Sequence, residues 1–190
     1  MNHDMGSTIA AVTAARRRNE RDAADPVGAS HRNQLRALIS AIVTAIWGGA
    51  ALIVVSTVAP AAFRVLPSRS LAGALVGEVL PVLFIAGLAI GTVAFVLAPR
   101  GSPRMIVRRA GAAGMIVGCG VAQMVIAPRI AVLREKIGPS VEALAATDPL
   151  RVAFGQLHGL SVLALGVAMV FALLTVFTSS AAVRAAPLRD

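Results

Sequence analysis

The sequence predicts an all-α membrane protein whose four transmembrane helices form an antiparallel bundle, with both termini in the cytoplasm. Of its 190 residues, 57% are hydrophobic and only 14% are charged, and the mean hydropathy is +0.79. Four apolar runs each approach the length of about 20 residues that a helix needs to cross a bilayer. This combination excludes a soluble globular domain.

The first 31 residues are predicted to form a disordered, charged tail. They include Arg16-Arg17-Arg18 and show no sustained apolar period. The triple arginine also invites a signal-peptide interpretation, but the apolar run that follows begins only near residue 37 and is too long for the core of a cleaved signal. The transmembrane domain is therefore expected over residues 32–182, followed by a short cytoplasmic tail over residues 183–190.

The first two spans are predicted at about residues 38–58 and 71–97. The first contains no charged side chain and ends around Pro60, with a brief interfacial continuation to Leu66. Leu66-Pro-Ser-Arg-Ser70 is the expected turn, because proline breaks a helix and a following serine caps the next one. The second span contains one acid, Glu78, which lies about 10 Å inside its helix. A carboxylate at that depth is neutral or has a partner.

The third and fourth spans are predicted at about residues 105–127 and 157–179. An apolar stripe continues the third helix beyond the membrane until Gly138-Pro139. A short amphipathic piece follows. The fourth span belongs to a helix that begins at Pro149, because Thr147-Asp148 places a capping side chain directly before a proline at the first helical position.

Glycines in the third predicted span allow a second helix to approach closely. Gly111, Gly114 and Gly118 lie on this span, and the last two are four residues apart. They indicate either packing inside the bundle or a homo-oligomer. The lipid bilayer is the other expected partner. Nucleic acid is not expected, because six Phe, one Trp and no Tyr supply no platform for bases.

The distribution of basic residues predicts the orientation. Twelve Arg and Lys side chains lie before the first span, in the second loop and at the C-terminus, whereas six lie in the first and third loops. Cytoplasmic segments carry the excess of Arg and Lys in membrane proteins. Both termini and the second loop are therefore placed in the cytoplasm, which agrees with an even number of spans.

With this orientation, polar side chains gather at the outer side of the membrane. The candidate polar cluster consists of Glu78, Gln123, Arg129, Arg134, His158 and Ser161. Glu78 and His158, on helices expected to be adjacent, are a candidate pair, because ionisable groups in a membrane are costly unless paired. No comparable cluster is expected at the inner side, apart from the arginines there.

No catalytic, metal or cofactor site is predicted. The sequence has no G-x-S-x-G, H-E-x-x-H or C-x-x-C motif and no phosphate-binding loop. Ser161 follows His158 by three residues, but this resembles a base and nucleophile pair only superficially. A packing role for His158 is favoured over metal or haem ligation, because no second ligand stands at a suitable spacing. Cys119 is the only cysteine and forms no internal disulfide.

Four short segments occur in the order typical of a known family. They are Ala59-Pro60 with Phe63, Ala72-Gly73 to Gly77 with Leu80-Pro81, Ala127-Pro128-Arg129-Ile130 with Arg134, and Phe154 with His158-Gly-Leu-Ser161. Over about residues 36–180 the chain resembles the transmembrane protein 205-like family, also called domain of unknown function 4149. The resemblance implies a four-helix membrane protein with little established chemistry. The chain departs from the family at Leu163-Ala-Leu-Gly166, where an asparagine is often present.

Three functional hypotheses follow. The leading one is a multi-pass protein of a bacterial inner membrane with a structural or small-solute-handling role. The alternative is a proton- or cation-coupled transporter or channel subunit that uses Glu78 and His158, which requires several copies because four helices alone supply no water-accessible path. The third is a membrane redox or enzyme component that uses His158.

Overall fold

The structure, a computed structural model, describes residues 11–17, 20, 26–98, 104–138 and 140–184. Over these ranges the chain is helical and contains no strand. Four helices are long and apolar enough to cross a membrane, and they are called the first to fourth spans: Gly28–Val65, Arg69–Leu97, Met105–Ile137 and Pro149–Ser180. The predicted all-α, four-span fold is confirmed.

The first and third spans each contain a π-helical turn directly before an Ala-Pro pair. The first consists of an α-helix Pro26–Ile53, a π turn Val54–Val58 and an α-helix Ala59–Val65, and the third of Met105–Gly120, Val121–Ile126 and Ala127–Ile137. Proline lacks an amide hydrogen and collides with the carbonyl one turn earlier, and the wider π turn accommodates both defects. The first helix therefore continues through Pro60 until Leu66 becomes extended.

The first helix begins at Pro26, within the residues that were predicted as an N-terminal tail. Proline is favoured in the first turn of a helix, and the alanine, arginine and leucine that follow are good helix formers. Residues 11–17 are also helical. At the other end, the last helix reaches Arg184. Apart from Glu20, the rest of both predicted tails lies outside the described residues.

The helix ends confirm the predicted caps. The Ser68 hydroxyl accepts the Leu71 N–H at 3.2 Å, and Asp148 Oδ1 accepts the Leu150 N–H at 2.8 Å. Gly138, with φ at 80°, ends the third span in a conformation that favours glycine. A single 3-10 turn, Val141–Ala143, lies in the loop that follows.

The four spans form an antiparallel bundle in which each packs mainly against two others. The second and the fourth spans both pack against the first and the third, so they lie at opposite corners. A β-carbon built on Gly87 would lie 2.5 Å from Cys119 Sγ and 2.9 Å from the Trp47 ring, whereas one on Gly91 would meet Ile116. The contact that lies later in the second span lies earlier in the third, so these two spans are antiparallel.

Large side chains fill the centre of the bundle. Trp47, Phe84, Met115, Cys119 and Leu165 are buried there, at least one from each span. The Trp47 indole N–H donates to the Leu83 carbonyl oxygen at 2.9 Å, which satisfies the only polar atom of the ring. The core is therefore closed by packing and by one buried hydrogen bond.

Gly111, Gly114 and Gly118 of the third span face the fourth span. A β-carbon on Gly111 would lie 2.6 Å from Thr175 Oγ1, one on Gly114 would collide with the Phe171 ring, and one on Gly118 would meet the fourth-span backbone at 3.1 Å. These glycines therefore serve packing inside the bundle. A homo-oligomer stays a prediction, and it would need a surface other than this one.

Candidate functional site

Arg134, near the end of the third span, connects three spans. Its Nη2 donates to the carbonyl oxygen of Gly73 on the second span at 2.8 Å. Its guanidinium carbon lies 5.7 Å from the ring centroid of Phe154 on the fourth span. A β-carbon on Gly77 would approach Nη1 to 3.0 Å. The guanidinium thus packs directly against the second span, because Gly73 and Gly77, one turn apart, leave room for it.

The Phe154 ring lies between Arg134 and His158. The Phe154 and His158 rings are stacked with centroids 6.5 Å apart and an interplanar angle of 4°, as the spacing of four residues on one helix allows. His158 is exposed. A cation, an aromatic ring and an imidazole therefore form a row at this end of the bundle, where the ring face attracts the guanidinium.

The other predicted site residues do not join this row. Glu78 and Arg129 are exposed, and Ser161 is buried. Gln123 is half-buried, and its Oε1 has no hydrogen-bond partner among the described residues. Nor does the described part of the chain contain a group of three or more His, Cys, Asp or Glu side chains that could hold a metal ion.

Glu78 and His158 do not lie on adjacent helices, so that part of the prediction was wrong. The second and fourth spans occupy opposite corners of the bundle, and both side chains are exposed. Their depth followed from hydropathy, but the order of the helices around the bundle depends on where small residues allow close approach. Here Gly111, Gly114 and Gly118 allow the third span, not the second, to pack closely against the fourth.

Hydrogen bonds fasten the loop after Gly138 to the bundle. The Ser70 hydroxyl, at the start of the second span, donates to Glu142 Oε2 at 3.2 Å. At the start of the fourth span, Arg151 Nη1 donates to the carbonyl oxygen of Leu144 in the loop at 2.8 Å. Arg134 is therefore held at an end of the bundle where the second span, the loop and the fourth span are tied together.

Replacing Arg134 with alanine is expected to destabilise the bundle by about 3 kcal/mol, because the change removes a charge-assisted hydrogen bond and a cation–π contact. Arg134→Lys should lose about half as much, since it keeps the charge but not the planar fork. Thermal unfolding in detergent, followed by circular dichroism, measures both. Arg129→Ala is the matched control, because Arg129 is exposed on the same helix. Equal losses for Arg129→Ala and Arg134→Ala would contradict the structural role.

A second polar group lies at the other end of the bundle, where the sequence analysis expected only arginines. Its buried members are Arg108, Ser40, Thr44, Thr175 and Ser179. A spacing of four residues in Ser40 and Thr44, and again in Thr175 and Ser179, places each pair on one helix face. This spacing was the available indication, but hydroxyls in apolar helices commonly bond to their own backbone, so it did not point to a site.

The chain was compared with protein families, curated proteins and solved structures. The model of a family described as Domain of unknown function (DUF4149) matches residues 42–138. The matched range includes Arg108, Arg134 and the two glycines against which Arg134 packs, Gly73 and Gly77. No curated protein and no solved structure was found to match. Because the family match covers more than half of the 190 residues, the chain belongs to this family of domains of unknown function.

Proposed function

We propose that this protein is a multi-pass protein of the bacterial inner membrane, similar to transmembrane protein 205-like proteins, with a structural or small-solute-handling role. Four apolar helices and the family match over residues 42–138 support the membrane assignment. The excess of Arg and Lys before the first span and in the second loop supports cytoplasmic termini.

The closed centre of the bundle favours binding at its ends over conduction through a single chain. Trp47, Phe84, Met115 and Cys119 are each at most 2% exposed, and they contribute to one continuous cluster. Interiors packed in this way leave no path for water. Polar groups lie beyond this layer on both sides, with Arg134 at one end. A solute that enters from either side therefore meets polar side chains before it meets the core.

Vesicles that contain the purified protein test this proposal. With a pH-sensitive dye inside and an imposed proton or potassium gradient, we expect the gradient to decay as slowly as in protein-free vesicles. An ionophore provides the positive control. Protein-dependent flux that His158→Gln or Glu78→Gln abolishes would overturn the proposal in favour of a proton- or cation-coupled transporter assembled from several copies.

A further inference from the structure

Arg108 is the largest of the fully buried side chains. It is 2% exposed, and neither Nη1 nor Nη2 has a hydrogen-bond partner among the residues that the structure describes. A guanidinium remains charged in proteins, and a buried ion without a partner is strongly unfavourable. A negatively charged group is therefore expected beside it.

Three buried hydroxyls at the same end of the bundle are also free. Ser40 Oγ, Thr44 Oγ1 and Ser179 Oγ have no hydrogen-bond partner in the described chain. A helical hydroxyl commonly donates to the carbonyl oxygen one turn earlier, and several in this protein do: Ser56, Thr92, Thr175, Thr178 and Ser180. The three exceptions keep their O–H groups available for another acceptor.

The third and fourth spans bring Arg108 and Ser179 to one level. Gly111 and Thr175 pack against each other, and the two spans are antiparallel. Arg108 lies about one turn before Gly111, and Ser179 about one turn after Thr175. Compared with the contact between Gly111 and Thr175, both residues therefore lie one turn closer to the same end of the bundle.

The first span contributes the hydroxyl of Ser40. Trp47 and Cys119 both pack on Gly87 and so mark a common level. At roughly 1.5 Å per residue, Ser40 lies about 10 Å and Arg108 about 16 Å from that level, in the same direction. The long arginine side chain covers a difference of this size, so Ser40, Ser179 and the guanidinium occupy one region. Thr44, at about 12 Å from the level of Arg108, lies too far along the bundle to share it.

We propose that Arg108, Ser40 and Ser179 form a binding site for a small inorganic anion the size of chloride. A guanidinium offers only donors, and the hydroxyls of Ser40 and Ser179 add donors that no other described group uses. Such a set binds an anion through charge-assisted hydrogen bonds. This proposal names a class of solute for the proposed small-solute role. It rests on that role in one respect, which is that a solute binds at one end of a closed bundle.

The burial of the site favours a small free ion over a lipid headgroup. All three side chains are at most 2% exposed, whereas a headgroup needs a side that is open to the membrane. The acids in the described chain do not serve as the counter-charge: Glu20 pairs with Arg16, and Glu142 and Asp148 are engaged at the opposite end. Glu78 and Glu135 are exposed.

Thermal unfolding of the purified full-length protein in detergent tests the site. Trp47, the only tryptophan, provides the fluorescence, and sodium chloride replaces sodium gluconate at constant ionic strength. Chloride should raise the Tm by about 5 °C at saturation, because a ligand that binds only the folded state stabilises it. Arg108→Gln should abolish this response.

Arg109→Gln is the matched control. It removes the same charge at the next position, where the guanidinium carbon lies 5.3 Å from the Phe95 ring centroid, and it should retain the chloride response. Should Arg108→Gln fail to fold, Ser40→Ala and Ser179→Ala provide the test, and each should weaken the apparent chloride affinity at least about fivefold, as expected for one lost hydrogen bond to an ion.

Three results would overturn the proposal. One is a chloride response that Arg108→Gln retains in full. The second is a Tm that ignores chloride but rises in nanodiscs of phosphatidylglycerol relative to phosphatidylcholine, which would identify a lipid phosphate as the ligand. The third is a Tm that ignores chloride and falls when Asp4, Asp22, Asp25 and Asp190, which lie outside the described residues, are changed to asparagine. None of these three results changes the outcome expected of the vesicle experiment. Failure of the anion site and failure of the proposed function can therefore be distinguished.

Discussion

Replacing Gly118 with valine is expected to force the third span away from the fourth and to cost about 4 kcal/mol, above the usual range of about 1–3 kcal/mol for overpacking. A β-carbon at this position would lie 3.1 Å from both the Ala164 carbonyl oxygen and the Ala168 β-carbon. Backbone cannot rotate aside as a side chain does. The γ-methyl groups of valine would therefore require the helices to separate along the interface.

Gly166→Val provides the matched control for this change. A β-carbon on Gly166, in the fourth span, would meet nothing within 4 Å, so the same substitution adds the same volume in an apolar span without a collision. We expect its unfolding free energy to stay within about 0.5 kcal/mol of the wild type. Circular dichroism during heating, with size-exclusion chromatography to check folding, measures both variants. Equal destabilisation would show that the third and fourth spans are not in close contact at Gly118.

Trp47→Ala is expected to lower the unfolding free energy by about 4 kcal/mol, because it opens a cavity in the core and removes the hydrogen bond that the indole N–H donates to the Leu83 carbonyl oxygen. Trp47→Phe should cost about half as much, since it retains most of the apolar volume and loses the N–H donor. Circular dichroism follows unfolding where the tryptophan is missing. Ile46→Ala is the control, because Ile46 is 67% exposed on the same helix. Equal losses for Trp47→Ala and Trp47→Phe would show that the hydrogen bond, not the volume, holds the core.

Hydropathy and capping predicted the elements of this fold well, because both act locally. A run of apolar residues needs only its own length to form a membrane helix, and Ser68 and Asp148 bond to backbone groups two or three residues away. The continuation of the helices through Pro60 and Pro128 was only partly predicted. A π turn leaves no distinct residue pattern, and proline ordinarily ends a helix.

The arrangement of the helices and the buried arginine could not be predicted in the same way. In lipid, apolar side chains do not distinguish the inside of a bundle from the outside, so the helix order depends on close contacts such as that of Gly118 with the fourth span. Charge counting assigned Arg108 and Arg109 alike to a cytoplasmic loop. Only tertiary packing separates them. Arg108 is buried and both of its Nη atoms lack a partner in the described chain, whereas Arg109 is half-buried with its guanidinium over the Phe95 ring.

The π turn of the third span also sets the phase of the helix that follows it. Within this turn the Ala127 N–H donates to the carbonyl oxygen of Ala122, five residues back rather than four, which holds one extra residue in the winding. Each residue of an α-helix advances the side-chain direction by about 100°. Without the extra residue, the guanidinium of Arg134 would point about a quarter-turn away from the Gly73 carbonyl oxygen. The azimuth of Arg134 is therefore fixed by backbone winding that takes place before Pro128, in a segment that makes no contact with the guanidinium.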